Sequence, residues 1–198
     1  MSRKLLMRTR YNATAPGYDE LYREEQYEKY RATLDILKGR ETLCDIGCGT
    51  LLLAEFLSEQ GIAGSLKYYV GLDLSPGMLE IALEKLRKGP LRELSHIVDV
   101  VEADAEHLPL RDRSCSLSVS YTVVDLVEDP GKMLREASRI APKAVVTSLK
   151  KAHRMKGALP RFGVYLGETG KDYIFLVAAE RGIAVSGARR GARQTRET

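Results

Sequence analysis

The sequence has 198 residues, of which 44% are hydrophobic and 29% are charged. This length suffices for one well-buried domain, and the composition is ordinary for a globular protein. No apolar run approaches the roughly 20 residues that span a bilayer, and the first eight residues lack the apolar core of a secretory signal. We therefore expect a cytoplasmic protein without membrane insertion. The net charge of +4 permits a nucleic-acid partner without requiring one.

The three cysteines carry little functional signal. Cys44 and Cys48 flank a glycine turn, and Cys115 opens a later strand. Their odd number suits no disulfide framework, and their spacing matches no zinc pattern. We expect three reduced, packed thiols and no metal site.

The N-terminal part of the chain has helical periodicity. After the turn-like Ala15-Pro16-Gly17, the range Thr14–Lys38 predicts one long amphipathic helix. Apolar and aromatic side chains fall roughly on one side of it, namely Tyr18, Leu21, Tyr22, Tyr30, Leu34 and Leu37.

A strand, a glycine turn and a helix follow. Glu41–Ile46 is a short run typical of a buried parallel strand, and the leucines and phenylalanine that recur after it predict a helix ending at Gly61. Gly47 and Gly49 lack a Cβ, so a ligand can approach the backbone of the turn between them closely. This pattern indicates a nucleotide-cofactor loop.

The acid before the turn narrows the kind of cofactor. A dinucleotide fold places a pyrophosphate here and usually has a third glycine, whereas this chain has Leu52 at that position and Asp45 at the end of the strand. A carboxylate repels phosphate but attracts a cation. S-adenosylmethionine, which carries a sulfonium and an ammonium group, therefore fits better than a dinucleotide.

A second acid ends the next strand. Lys67–Asp73 reads as this strand, and an acidic residue at its end is placed to accept hydrogen bonds from ribose hydroxyls. The separation of Asp45 from Asp73 suits the helix and return strand of one βαβ unit.

Three blocks together carry a family resemblance: Asp45–Thr50, Gly71–Leu79 and Ala103–Pro109. In their order and spacing the chain resembles the class I S-adenosylmethionine-dependent methyltransferases, from about Tyr11 to about Lys151. The resemblance implies an α/β fold with three layers and a doubly wound, mostly parallel sheet. It divides the chain into a helical lid segment (1–40), a Rossmann-like domain (41–186) and a basic flexible tail (187–198).

The resemblance also implies a set of cofactor-binding residues. Asp104 would accept a hydrogen bond from the adenine amino group with Ala105 nearby, although it also suits a turn cap. Tyr18 and Tyr11 are candidate lid residues, with ordinary packing as the alternative. The full set is Tyr18, Asp45, Gly47, Cys48, Gly49, Asp73, Leu74, Met78, Asp104, Ala105 and Tyr121.

The remaining elements place the candidate catalytic residues. Pro76–Leu86 predicts a helix, and strands are expected at His96–Ala103, near a sheet edge, at Cys115–Val124 and at Ala144–Leu149. Ligands of this fold collect beyond the carboxyl ends of the strands. Asp125 and Tyr121 are therefore candidate catalytic residues, Asp125 to orient or deprotonate the acceptor. Alternatively, Asp125 caps the helix that begins near Pro130.

The C-terminal region leaves alternatives open. The basic run Lys150–Gly157 either binds an anionic substrate such as RNA phosphate or is a solvated loop. Lys171–Arg181 suits a helix followed by a strand at Ile183–Ser186, whereas Tyr173–Ala178 suits a strand. The family usually ends in an antiparallel hairpin, and the sequence leaves open whether this chain has one.

The function implied by the resemblance is transfer of a methyl group from S-adenosylmethionine to an unidentified acceptor, a small molecule or RNA. A methyltransferase of a translation protein is an alternative, with a small activating protein that covers an apolar sheet edge near Val98, Val100 and Val101. A catalytically weak scaffold is the other, since Leu51 replaces the last glycine of the family's Gly-x-Gly-Thr-Gly turn.

Overall fold

The computed structural model describes residues 2–152 and 159–178, and these contain a seven-stranded sheet. The sheet order is β3-β2-β1-β4-β5-β7-β6. The five strands β1 to β5 pair in parallel, whereas β7 runs antiparallel to both β5 and β6. The strands are β1 (Thr42–Ile46), β2 (Tyr68–Asp73), β3 (Val98–Glu102), β4 (Leu117–Ser120), β5 (Lys143–Leu149), β6 (Gly163–Glu168) and β7 (Asp172–Ala178).

Helices cover both faces of this sheet. One buried cluster joins α2, α4 and α5 to strand residues such as Leu43 and Tyr69, and a second joins α6 to alternate residues such as Cys44 and Val70. This alternation follows the two-residue period of a strand and confirms the three-layer, doubly wound α/β fold. The helices are α1 (Arg3–Thr14), α2 (Tyr18–Ala32), α3 (Leu34–Leu37), α4 (Leu52–Glu59), α5 (Pro76–Lys88), α6 (Pro130–Ile140) and α7 (Leu159–Phe162).

The N-terminal segment differs from the single helix predicted. A 3₁₀ turn at Ala15–Gly17 separates α1 from α2, and α2 ends at Ala32. Pro16 lacks an N–H and Gly17 weakens a helix, so the interruption has a local cause. Helix α1 was not predicted because it has no buried residue and therefore no apolar face to reveal it.

Side-chain caps fix the starts of two later helices. Ser75 Oγ accepts a hydrogen bond from Met78 N at 3.2 Å, and Asp129 Oδ1 accepts one from Lys132 N at 2.9 Å. The cap of α6 is therefore Asp129, and the alternative that Asp125 caps this helix is wrong.

The C-terminal alternatives are resolved in favour of a strand. Tyr173–Ala178 belongs to β7, which pairs with β6 as an antiparallel hairpin, so this part of the family fold is present. Ile183–Ser186, the tail 187–198 and most of the basic run after Ala152 lie outside the described residues.

The expectation of three reduced thiols is wrong for two of them. Cys44 in β1 and Cys115, just before β4, form a disulfide with Cα atoms 5.9 Å apart, whereas Cys48 is free and buried. The two chain segments are neighbours in the sheet, which brings both cysteines within bonding range. Separately, the described helices include none that is long and apolar enough to cross a bilayer.

Candidate functional site

A cavity of about 340 Å³ lies at the carboxyl ends of the parallel strands. Residues that follow β1, β2, β3, β4 and β5 line its floor, and α1 and α2 contribute its cover. The sequence-predicted residues that line it are Tyr18, Gly47, Gly49, Asp73, Leu74, Met78, Asp104, Ala105 and Tyr121.

The glycine turn forms the centre of the cavity floor. Gly47 and Gly49 have φ angles of 76° and 53°, and Gly47 N donates a hydrogen bond to Leu72 O at 2.6 Å. A Cβ on Gly47 would overlap the side chain of Val123. Glycine is therefore required at Gly47 by both the backbone angle and the available space.

Asp73 is held against this turn. Its Oδ2 accepts a hydrogen bond from Gly49 N at 2.9 Å, and its Oδ1 accepts one from Ser75 N at 2.8 Å. Burial raises the pKa of Asp73, and these backbone hydrogen bonds oppose the increase. Each carboxylate oxygen retains acceptor capacity, so the cavity wall presents a fixed acceptor pair suited to two vicinal hydroxyls.

Asp104, which follows β3, forms the next part of the wall. Its Oδ1 accepts a hydrogen bond from Glu106 N at 2.9 Å, and its Oδ2 is 2.7 Å from Lys4 Nζ and 3.0 Å from His107 Nδ1. Burial alone would raise the pKa of Asp104, but the hydrogen bonds, above all the one from Lys4, lower it overall. An ionised acceptor therefore lies at the end of the cavity beside β3.

Three tyrosines cover the turn from the N-terminal side. The Tyr18 ring centroid lies 6.4 Å from that of Tyr11 and 4.9 Å from that of Tyr22. Tyr18 Cε1 is 3.8 Å from the position of a Cβ on Gly49, so its ring approaches the turn. Burial raises the pKa of Tyr18. All three tyrosines line the cavity, and this placement suits the lid role predicted for Tyr18 and Tyr11.

Two predicted cofactor residues lie beneath the turn and outside the cavity lining. Asp45 Oδ2 accepts a hydrogen bond from Tyr69 Oη at 2.5 Å, and burial raises the pKa of Asp45 to about 7. The side chain of Cys48 packs close to Gly71, where a Cβ would come within 2.8 Å of its Sγ. Contacts of Asp45 and Cys48 with a cofactor remain predictions, and the position of both residues outside the cavity lining does not favour them.

The two candidate catalytic residues differ in placement. Tyr121 lines the cavity, and its hydroxyl lies 2.7 Å from Thr33 Oγ1; burial raises its pKa. Asp125 is buried outside the lining and accepts hydrogen bonds from Ser148 Oγ at 3.0 Å and Leu149 N at 2.8 Å. Asp125 therefore supports the end of β5, and its predicted catalytic role stays untested.

Leu51 does not narrow the cavity. It adopts left-handed backbone angles (φ 65°, ψ 34°) at the start of α4, and its side chain is fully buried. Its Cδ2 lies 2.9 Å from the position of a Cβ on Gly71. The side chain therefore packs in the hydrophobic core, and Leu51 is not among the residues that line the cavity. The main structural reason for a degenerate scaffold is thereby removed.

Sequence reasoning missed several cavity residues because they come from parts of the chain without a local motif. Lys4 reaches the cavity through an unpredicted helix, and Lys171 precedes a strand whose existence was left open. Glu25 lies on α2 three residues after Tyr22 and seven after Tyr18, and therefore on the same side of the helix as these two cavity residues. This helical spacing from the predicted lid residue Tyr18 was the available signal.

The strand order, the glycine turn and the carboxylates after β2 and β3 define a Rossmann-like methyltransferase fold. The sequence profile of the family described as "Methyltransferase domain" matches residues 44–145. The chain therefore belongs to this family.

Curated relatives act on different acceptors. A ubiquinone/menaquinone biosynthesis C-methyltransferase, UbiE, from Campylobacter jejuni is 31% identical over 74% of this chain and 64% of its own length. A malonyl-[acyl-carrier protein] O-methyltransferase from a Marinomonas species is 30% identical over 71% of this chain and 49% of its own length. The chain thus spans less than two thirds of these relatives.

Solved structures support the fold. A putative S-adenosyl-L-methionine-dependent methyltransferase from Methanococcus maripaludis has a TM-score of 0.66 at 20% identity and covers 84% of this chain and 92% of its own. A putative methyltransferase from Haloferax volcanii, solved with the Trm112 methyltransferase activator, has a TM-score of 0.56 at 21% identity, over 70% of this chain and 59% of that one.

Proposed function

We propose that the chain binds S-adenosylmethionine in this cavity and transfers its methyl group to a small-molecule acceptor. The observation that carries the proposal is the Asp73 carboxylate, which Gly49 N and Ser75 N hold in the cavity wall beside the glycine turn. An ordered carboxylate at the end of β2 is matched to ribose hydroxyls and is poorly matched to phosphate.

The donor and acceptor set suits the cofactor along the cavity. Asp104 would accept a hydrogen bond from the adenine amino group, Asp73 would accept from the ribose, and the turn at Gly47 and Gly49 admits a ligand against the backbone. Tyr18 would cover the bound cofactor. These groups would bind the methyl donor and orient it for the transfer.

The sulfonium of the cofactor supplies a good leaving group when it is bound. What the chain has to contribute is alignment and exclusion of water, for which α1, α2 and the tyrosine cover are placed. Tyr121 forms part of the cavity wall after β4 and would pack against the reacting groups. A base is needed only for an acceptor that still carries a proton when it attacks.

A small acceptor is favoured over RNA by the cover that α1 and α2 form over the cavity. Two lysines near the exit of β5 are also engaged, with Lys150 Nζ 2.9 Å from Glu168 Oε1 and Lys171 Nζ 2.6 Å from Glu25 Oε2. The relative named for ubiquinone/menaquinone biosynthesis agrees with a small acceptor.

A small activating protein is the second partner that the sequence suggested, and the Haloferax complex is the fold relative that supports it. Among the three valines named for this role, Val98 is buried, and Val100 and Val101 are half-buried. The side chains of β3 therefore offer little exposed apolar surface for such a partner. The cytoplasmic location and the division at residues 40 and 186 also stay predictions.

Calorimetric titration with S-adenosylhomocysteine, the demethylated cofactor, tests the proposal. We expect saturable binding by the wild-type protein and loss of binding in Asp73→Ala. Asp99→Ala, which removes an exposed carboxylate from the neighbouring strand β3, is the matched control and should bind normally. If the wild type does not bind S-adenosylhomocysteine, the alternative of a catalytically weak scaffold would be favoured.

A further inference from the structure

The first two residues of α2 contact two consecutive residues of the glycine turn. Tyr18 Cε1 is 3.8 Å from the position of a Cβ on Gly49. The next residue of the turn, Thr50, donates a hydrogen bond from its Oγ1 to Asp19 Oδ1. On its other side the turn is bonded to β2, because Gly49 N donates to Asp73 Oδ2 at 2.9 Å. The turn is therefore held from β2 by Asp73 and from α2 by Asp19.

Asp19 also belongs to a cluster of charged side chains that joins α2, α4 and α5. Lys85 Nζ lies 2.5 Å from Asp19 Oδ2 and 3.3 Å from Glu55 Oε1. Arg23 Nη1 lies 2.8 Å from Glu55 Oε2, and Arg23 Nη2 lies 3.7 Å from Asp19 Oδ2. These four side chains bring two charges of each sign together, and the Glu55 and Lys85 side chains are 4% and 10% exposed. Asp19 is thus fixed by a partly buried ion-pair cluster as well as by Thr50.

The start of α2 has few other contacts that could fix it. Gly17 precedes the helix and supplies no side-chain cap, and the first N–H groups of a helix have no partner within the helix. The buried residues of α2 lie in its second half, from Gln26 onward. Helix α1, on the other side of the 3₁₀ turn, has no buried residue at all. The contacts of Asp19 are therefore placed to decide where Tyr18 lies.

We propose that Asp19 and Thr50 are positioning residues, whose hydrogen bond holds the start of α2 so that Tyr18 stays closed over the glycine turn. The inference rests on the proposed cofactor function. Neither Asp19 nor Thr50 lines the cavity, whereas Tyr18 does, so the pair would act on a bound ligand through Tyr18. The affinity for a ligand falls with the fraction of molecules in the binding-competent form. Loss of the hydrogen bond would lower the affinity because the cover would be open more often.

Thr50→Val tests the hydrogen bond, since it replaces the hydroxyl with a methyl group of similar size. Calorimetry should show an affinity for S-adenosylhomocysteine that is lower by roughly fivefold or more, as expected when the closed form becomes a minor fraction. Thr50→Ser, which keeps a hydroxyl, should retain the wild-type affinity. An unchanged affinity in Thr50→Val, or an equal loss in Thr50→Val and Thr50→Ser, would overturn the proposal.

A double-mutant cycle with Tyr18→Ala separates positioning of the cover from a direct effect on the turn. If Thr50 acts through Tyr18, Thr50→Val should cause no further loss of affinity once the Tyr18 ring is absent. The same loss in both backgrounds would mean that Thr50 shapes the turn itself, and the positioning role would be wrong.

Hydrogen–deuterium exchange of the ligand-free protein gives a second readout that does not depend on cofactor binding. Thr50→Val should speed exchange in residues 18–25 and leave exchange in β5 unchanged, because a general loss of stability would affect both. Unchanged exchange in residues 18–25, or an equal increase in β5, would contradict the proposal.

Glu59→Gln is the matched control. Glu59 is 52% exposed, its Oε1 lies 3.8 Å from Arg23 Nη1, and it accepts a hydrogen bond from Tyr27 Oη at 3.0 Å, so it touches the same cluster away from Asp19. Glu59→Gln should change neither the affinity nor the exchange of residues 18–25. If the wild type does not bind S-adenosylhomocysteine, the proposed cofactor function is wrong, and the exchange experiment still decides whether Thr50 holds the start of α2.

Discussion

Lys4 Nζ lies 2.7 Å from Asp104 Oδ2, so the first turn of α1 is attached to the carboxylate that would receive adenine. Lys4 is also 3.5 Å from Glu106 Oε2, and nearby Arg3 donates hydrogen bonds to Leu126 O and Asp125 O. Because α1 has no buried residue, such polar contacts are what hold it over the cavity. An adenine amino group that binds Asp104 Oδ2 would compete with Lys4 for that oxygen.

Removing the Lys4 charge should therefore favour cofactor binding. We expect Lys4→Met to raise the affinity for S-adenosylhomocysteine by up to about fivefold, the equivalent of ~1 kcal/mol for an ion pair near the surface. Calorimetry at low ionic strength measures the effect. Arg3→Met is the control, because Arg3 attaches the same helix to Leu126 O and Asp125 O, lies outside the cavity lining and does not contact Asp104. Weaker binding by Lys4→Met would mean that Lys4 contacts the ligand itself.

Leu51 should matter for stability and not for ligand binding. Because its side chain is fully buried beneath the turn, we expect Leu51→Ala to lower the free energy of unfolding by roughly 2–5 kcal/mol. Urea denaturation measures this loss. Affinity for S-adenosylhomocysteine should be unchanged at a temperature where the variant is folded. A large loss of affinity with intact stability would show that Leu51 shapes the cavity after all.

Asp45 should make stability depend on pH. Burial raises its pKa to about 7 from an ordinary value of 3.8, with the Tyr69 hydrogen bond opposing the increase and the Asp73 charge adding to it. Between these values the folded protein keeps a proton that the unfolded chain has lost. The contribution of Asp45 to stability is therefore present below pH 3.8 and falls as the pH rises to about 7.

Asp45→Asn should remove this dependence. As the pH rises from 3.8 to about 7, the free energy of unfolding of the wild type should fall by roughly 4 kcal/mol relative to that of the variant. Chemical denaturation at several pH values measures the shift, and Asp99→Asn, at an exposed position, should run parallel to the wild type. A constant difference between wild type and Asp45→Asn would mean that Asp45 is ionised throughout.

The disulfide predicts a simple labelling pattern. With Cys44 bonded to Cys115, alkylation of the denatured, unreduced protein should modify Cys48 alone. Prior reduction should expose all three thiols to the reagent. Mass spectrometry distinguishes the two products, and labelling at Cys44 without reductant would show that the bond is absent from the purified protein.

Local sequence patterns were sufficient to predict the central strands of the sheet and the glycine turn in the cavity floor. The strands around Asp45 and Asp73 are short buried runs with an acid at or next to the last residue, and Gly47 occupies a left-handed turn that its residue type permits. These features depend on neighbours in the chain, so the sequence shows them directly. The edge position of β3 also followed from its mixed polar and apolar pattern.

Contacts between distant segments were beyond the reach of these patterns. Lys4 and Asp104 are far apart in the chain, and no periodicity indicates that they meet. The same holds for Glu25 and Lys171. Asp45 shows the converse difficulty: its position in the motif predicted a cofactor contact, but its side-chain direction, toward Tyr69, depends on how two strands pack.

A crystal structure of the protein with S-adenosylhomocysteine tests the central claim most directly. We expect the adenine amino group within hydrogen-bond distance of Asp104, both ribose hydroxyls on the Asp73 carboxylate, and Lys4 displaced from Asp104 Oδ2. The ligand should lie along the strand ends under Tyr18. Density for the ligand at any other site, or in this cavity without contact to Asp73, would show that the proposed cofactor site is wrong.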